Sequence, residues 1–106
     1  MRILFDQGTP VPLREYLNSH QVETAFERGW STLTNGELLA RADNEGFEVF
    51  VTTDRALPSQ QNFDGLSIAI VVLSSTSWPR IQKAAAAVAL AIDATVPGSF
   101  IEVSIP

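Results

Sequence analysis

The order of elements along the chain predicts an α/β fold: a mainly parallel central sheet flanked by helices on both faces. Short apolar runs that read as strands alternate with segments of helical spacing, the pattern of crossover-connected parallel strands. The strongest run, Leu66 to Leu73, is apolar almost throughout, as a strand covered on both faces must be. A length of 106 residues suits one domain spanning 1–106 and is too short for two.

Each element has its own signal. Arg2 to Phe5 is an apolar run stopped by Asp6-Gln7-Gly8-Thr9-Pro10, a strand followed by a turn. Leu13, Tyr16 and Leu17 recur at helical spacing after Pro10 and Pro12, which predicts a helix over Val11 to Ser19 leaving through Asn18-Ser19-His20. Val22 to Phe26 alternates apolar with polar and predicts a strand. After the loop Arg28-Gly29-Trp30-Ser31-Thr32, Thr34-Asn35-Gly36-Glu37 opens a helix with Leu38, Leu39 and Ala42 inward, ending near Glu45-Gly46. Phe47 to Thr53, rich in β-branched and aromatic residues, is a strand that runs into Asp54. Polar Pro58 to Asn62 reads as a loop or short helical turn before the Leu66 to Leu73 strand. Ser77 is a suitable N-cap and Pro79 suits a first turn, so one helix with Ile81, Ala84, Ala85, Val88 and Ile92 inward is expected to reach about Asp93. Val96-Pro97-Gly98 is a turn, and Phe100 to Val103 a last strand.

Composition narrows the function. Hydrophobic residues at 45% and charged residues at 18% support a packed core and exclude general disorder. Seven Lys and Arg against twelve Asp and Glu leave a formal charge of −5, which disfavours a broad duplex-binding face. With no Cys there is no disulfide, thiolate zinc site or cysteine nucleophile, and the single His20 excludes a histidine ligand cluster within the chain. Met1 to Asp6 meets charge too early for a signal peptide, and the uncharged run Ala84 to Ile92 is far short of the roughly 20 residues that cross a bilayer. A soluble, cytoplasmic protein without membrane association is expected.

An acid excess either solubilises a protein or holds a cation, so the positions of the acids matter. Asp6 and Asp54 each come at the end of a predicted strand. If the strands are parallel, both carboxylates emerge at one edge of the sheet, the edge where such folds bind ligands. Glu37, in the first turn of a helix, can approach that edge and complete a trio of oxygen ligands for Mg²⁺ or Mn²⁺. Plainer roles stand beside these. Asp6 can start a turn with Gly8, Asp54 alone is a turn residue, and Thr34-Asn35-Gly36-Glu37 fits a capping box in which Glu37 reaches back to the Thr34 N–H.

Three motifs carry a family resemblance. Ile3-Leu4-Phe5-Asp6-Gln7-Gly8-Thr9-Pro10, Gly36-Glu37-Leu38-Leu39 and Val51-Thr52-Thr53-Asp54 resemble successive motifs of small PIN-like proteins, described as predicted nucleases of toxin–antitoxin systems. The resemblance runs from Met1 to about Ile81. It implies a PIN-like three-layer sandwich, a Mg²⁺ or Mn²⁺ site at Asp6, Glu37 and Asp54 with those residues catalytic, and hydrolysis of phosphodiester bonds in single-stranded RNA. A small helix-turn-helix antitoxin is the partner it suggests. The chain departs from the pattern in having Asp6-Gln7-Gly8 where many relatives read aspartate, glutamate, asparagine, and Ala56 where they place a further aspartate. After Leu73 only the hydroxyls of Ser74, Ser75 and Thr76 follow, without a fourth acid.

The alternative expectation is a catalytically weak or inactive PIN-like module that acts through contacts with an antitoxin-like partner or with a second copy of itself. Among other candidates, Arg28, Arg55 and Arg80 could hold phosphate or pair with acids, and Gln60, Gln61 and Asn62 could contact bases or face water. Trp30 and Trp78 could stack on a base or pack against helices. His20 reads as a turn residue, and Gly8-Thr9-Pro10 is too short for a phosphate loop.

Overall fold

A computed structural model describes residues 1–57 and 65–106. Among them, β1 (Arg2–Phe5), β2 (Gln21–Thr24), β3 (Val49–Thr52), β4 (Ala69–Leu73) and β5 (Phe100–Val103) form one sheet in the order β2-β1-β3-β4-β5. Every pairing is parallel, with Phe5 opposite both Thr24 and Val51, Thr52 opposite Val72, and Val72 opposite Glu102. The expected mainly parallel sheet is therefore wholly parallel in the described residues.

Parallel strands need long crossovers, and these supply the covering layers. A 3-10 helix (Val11–Tyr16) links β1 to β2, helix α1 (Asn35–Asn44) precedes β3, and helices α2 (Trp78–Lys83) and α3 (Ala85–Asp93) link β4 to β5. The period of two along each strand divides the core between the faces. Ile3, Phe5, Val49, Val51, Val71 and Leu73 join Leu13 of the 3-10 helix and Ile81, Ala85, Val88 and Ile92 of α2 and α3. Leu4, Phe50, Ile70 and Val72 join Leu38, Leu39 and Ala42 of α1, with Trp30 and Phe47. Burial on both faces is why β3 and β4 carry apolar residues at nearly every position.

The structure shifts several expected elements. The segment read as a helix over Val11 to Ser19 is a short 3-10 helix ending at Tyr16, with Pro at its start and a C-cap at Leu17 outside helical geometry. The strand expected over Val22 to Phe26 begins one residue earlier and ends at Thr24, where the chain turns away. The strands expected over Phe47 to Thr53 and Leu66 to Leu73 narrow to Val49–Thr52 and Ala69–Leu73. The single helix expected to reach Asp93 is broken at Ala84, whose backbone (φ −102°, ψ 10°) leaves helical geometry while Ile81 and Ala85 both stay buried. Ser77 stands at the N-cap of α2 without a side-chain capping bond. The loop or turn read over Pro58 to Asn62 lies outside the described residues.

Phe50 occupies the middle of β3, fully buried against α1. Phe50→Ala is expected to destabilise the fold by about 3–5 kcal/mol, read as a lower denaturation midpoint at unchanged m-value.

Candidate functional site

The strand order sets where a ligand can enter. From β1 the chain goes outward to β2 on one side and later returns to β3 on the other, so the loops leaving β1 and β3 part company. The crevice beyond the carboxyl ends of two such strands is the binding position of open α/β sheets. Asp6 follows β1 directly, and Asp54 follows β3 with only Thr53 between.

Asp6 is buried, with 3% of its surface exposed. A carboxylate there must be hydrogen-bonded or neutralised. Its Oδ1 accepts from the Thr9 backbone N–H at 3.0 Å and the Thr9 hydroxyl at 2.6 Å, and its Oδ2 accepts from the Thr52 hydroxyl at 2.5 Å. Burial pushes the Asp6 carboxyl above its ordinary value of 3.8, against the lowering effect of the hydrogen bonds from Thr52, Thr9 and the Thr53 backbone. The loop closes tightly on this group: a Cβ on Gly8 would lie 2.5 Å from Thr53 Oγ1, so a larger residue requires the Thr53 side chain to shift.

Thr52 joins the two acids. Its hydroxyl donates to Asp6 Oδ2 and accepts from the Asp54 N–H at 2.9 Å. Asp54 Oδ1 accepts from the Ala56 N–H at 3.0 Å, an aspartate turn, and Oδ2 accepts from Asn35 Nδ2 at 3.1 Å. Asn35 is the first residue of α1, so this bond ties the helix start to the end of β3.

Of the two roles open to Glu37, the structure forms the capping box. Thr34 Oγ1 accepts from the Glu37 N–H at 3.2 Å, and Glu37 Oε1 accepts from the Thr34 N–H at 2.9 Å. That return bond, the larger influence, holds the exposed Glu37 carboxyl below its ordinary 4.5. Asp6 and Asp54 thus share one hydrogen-bonded unit, and Glu37 caps the helix beside it. Among the described residues no three acidic or histidine side chains form a metal-holding group, so Asp6, Glu37 and Asp54 do not make a three-carboxylate cluster in this conformation.

Most of the other candidates have local partners. Arg28 pairs with Glu23 and Glu45 and lies 4.8 Å over the Trp30 ring, while Arg55 pairs with Glu102 at 3.7 Å. Trp30 is buried, and Trp78 packs against Tyr16 with ring centroids 6.0 Å apart. His20 Nε2 contacts Asp93 Oδ1 at 2.7 Å. Ser74 Oγ accepts from the Ile105 N–H, and Ser75 Oγ from the Ser77 N–H. Gln60, Gln61 and Asn62 lie outside the described residues. Sequence reasoning places Thr9 near a metal or phosphate and misses Thr52 and Asn35, which also position the acids. A buried hydroxyl at a strand end beside an acid is the signal for Thr52; Asn35 carries none beyond its place in the cap. Phe26, 77% exposed, follows β2 at this same edge and was read from the sequence only as the end of a strand.

Fold and site together define an α/β protein with a fully parallel five-stranded sheet and a carboxylate pair at its switch point. No protein-family model, curated protein or solved structure matches the chain. The donors at the crevice are carboxylate and hydroxyl oxygens, the class that Mg²⁺ and Mn²⁺ take, and Mg²⁺ commonly uses one or two carboxylates together with water and substrate phosphate. Asp54 and Asp6 supply that number.

The raised Asp6 value has a definite sign. The native state keeps this proton to higher pH than the unfolded chain, so ionisation of Asp6 lowers stability as pH rises from about 3.8 through the native value. Asp6→Asn keeps an oxygen acceptor and cannot ionise. Thermal unfolding of both proteins from about pH 4 to about pH 7 is expected to show the variant gaining on wild type as pH rises. A difference independent of pH would contradict the burial account.

Proposed function

We propose that the chain is a metal-dependent ribonuclease of PIN-like type that hydrolyses phosphodiester bonds in single-stranded RNA, the toxin of a toxin–antitoxin pair. One observation carries this reading: two carboxylates on neighbouring parallel strands, coupled through one threonine hydroxyl, at the carboxyl edge where the strand order reverses. The motif resemblance at Asp6, Glu37 and Asp54 supports it.

Asp54 and Asp6 would hold Mg²⁺ or Mn²⁺, and Glu37, whose Oε1 is held in the cap, would have to move from its present place to add an oxygen. When bound, the ion supplies positive charge at the phosphate and acidifies water for attack on phosphorus. Asn35 orients Asp54, and Thr52 keeps Asp54 and Asp6 in register. Phe26, exposed beyond the outer strand β2 at the same carboxyl edge, offers an aromatic face to an unpaired base, the contact that single-strand binders use without sequence preference. With a chain charge of −5, a bound cation would supply the local attraction for phosphate, so binding should require the metal.

A second reading is favoured by a specific observation, the commitment of Glu37 to its capping box with no three-acid group among the described residues. It is the catalytically weak or inactive module that works through contacts with a small DNA-binding antitoxin or with itself.

Purified chain incubated with unstructured and structured RNA in Mn²⁺ or Mg²⁺ separates the two. The nuclease reading expects cleavage of unstructured RNA that disappears in the Asp6→Asn, Asp54→Asn double variant. Equal cleavage by wild type and double variant, or none by wild type, overturns it. Asn35→Ala is expected to lower metal affinity or activity about 10–100-fold by releasing Asp54. Glu37→Gln preserves the cap, so weakened Mn²⁺ binding at unchanged thermal stability would make Glu37 a ligand, and unchanged binding would confine it to capping.

A further inference from the structure

Away from the acidic edge, helices α2 and α3 bury one side against the sheet through Ile81, Ala85, Val88 and Ile92. Their opposite side is the unusual one. A helix facing water normally carries charge on that side, yet no charged residue occurs from Ala84 to Ile92. Ala86, Ala87, Leu90, Asp93 and Ala94 are all exposed and their spacing of three and four residues makes them a single stripe along α3 and its C-cap, with exposed Lys83, the last residue of α2, just before it. Leu90 is 70% exposed in the centre of the apolar part. Tyr16, also exposed, adjoins the stripe through the bond from Gln82 Nε2 to its hydroxyl at 3.0 Å.

The ends of the stripe identify the occupant. Lys83 stands at one end and Asp93 at the other, with Ala86, Ala87 and Leu90 between. Turning a second copy antiparallel about a two-fold axis near Val88 sets Lys83 opposite Asp93 of the second copy, and Leu90 opposite Ala86 and Ala87 of the second copy. The small alanines make a hollow for the leucine and let the helices approach to the roughly 8 Å lower limit of helix packing. A parallel copy would oppose Lys83 to Lys83 and Asp93 to Asp93. Asp93 already meets His20 through Oδ1, and its side chain remains 56% exposed, open to a lysine.

We propose that the outward face of α2 and α3 is an isologous interface in which two copies of this chain pair antiparallel, with Leu90 at the centre and reciprocal Lys83–Asp93 pairs at the rims. The dimer stands apart from the nuclease reading, because none of the three acids belongs to this face. A nine-residue helix is about 14 Å long. That length buries less than the roughly 800 Å² per partner of stable complexes, so the dimer is weak and appears with concentration.

Sedimentation velocity of the full chain over a concentration series, at low and high salt, tests the pairing. The expected result is a mass that rises from monomer toward dimer, with association weaker at high salt. Leu90→Glu, at an exposed position and checked by circular dichroism, is expected to weaken association about tenfold or more. Lys83→Asp and Asp93→Lys should each weaken it several-fold, and the two together should restore it, since the swap rebuilds both rim pairs. A monomer at every concentration overturns the proposal, as does a dimer indifferent to Leu90→Glu; failure of the double swap to restore association overturns the antiparallel arrangement. RNA cleavage by the Leu90→Glu monomer reads the nuclease proposal separately.

Discussion

A carboxylate buried at the end of a central strand cannot be left to water, and much of the carboxyl edge of this protein is arranged around that constraint. Asp6 is enclosed by donors from its own loop, through Thr9, and from the neighbouring strand, through Thr52. The Thr9 bonds pin the turn after β1, and the Thr52 bond pins that turn to β3. Because the Thr52 hydroxyl also accepts from the Asp54 N–H, the position of the second acid follows from satisfying the first. Gly8 belongs to the same arrangement, since a Cβ there would lie against the Thr53 hydroxyl and displace that side chain.

The rest of the fold delivers these groups to one place. Parallel strands require covering layers on both faces, and the crossovers that provide them bring the start of α1 to the edge where β1 and β3 end. The capping box then does two things. It satisfies N–H groups at the start of α1, and it fixes Asn35 where its amide reaches Asp54. Capping and site geometry are therefore one structure, which is why Glu37 matters to the site even while Oε1 faces Thr34.

Much of this was legible in the residues. The strand end at Phe5, and that of β3 to within one residue, follow from apolar runs that stop at polar turns, and parallelism follows from strands alternating with helices, so the shared edge of Asp6 and Asp54 could be read directly. The capping box and the last strand, Phe100 to Val103, were legible for similar local reasons. The 3-10 helix was not, because spacing of Leu13, Tyr16 and Leu17 does not separate one tight helical type from another over six residues. Nor was the break at Ala84, where the residue type with the highest helix propensity leaves helical geometry. The role of Thr52 as a bridge was hidden for a different reason: it depends on which hydroxyl faces which carboxylate across two strands, and no spacing along one chain encodes that.

The central claim is that the Asp6–Asp54 crevice takes a divalent cation, and paramagnetic broadening of backbone amide signals during an Mn²⁺ titration tests it most directly. The account predicts that the signals of Gln7, Gly8, Thr53, Asp54 and Arg55, with those of Asn35 and Gly36, are lost first, and that Asp54→Asn abolishes the effect. Broadening that instead begins at the opposite edge of the sheet, around Asp43 and Glu48, or that survives in Asp54→Asn, would contradict it.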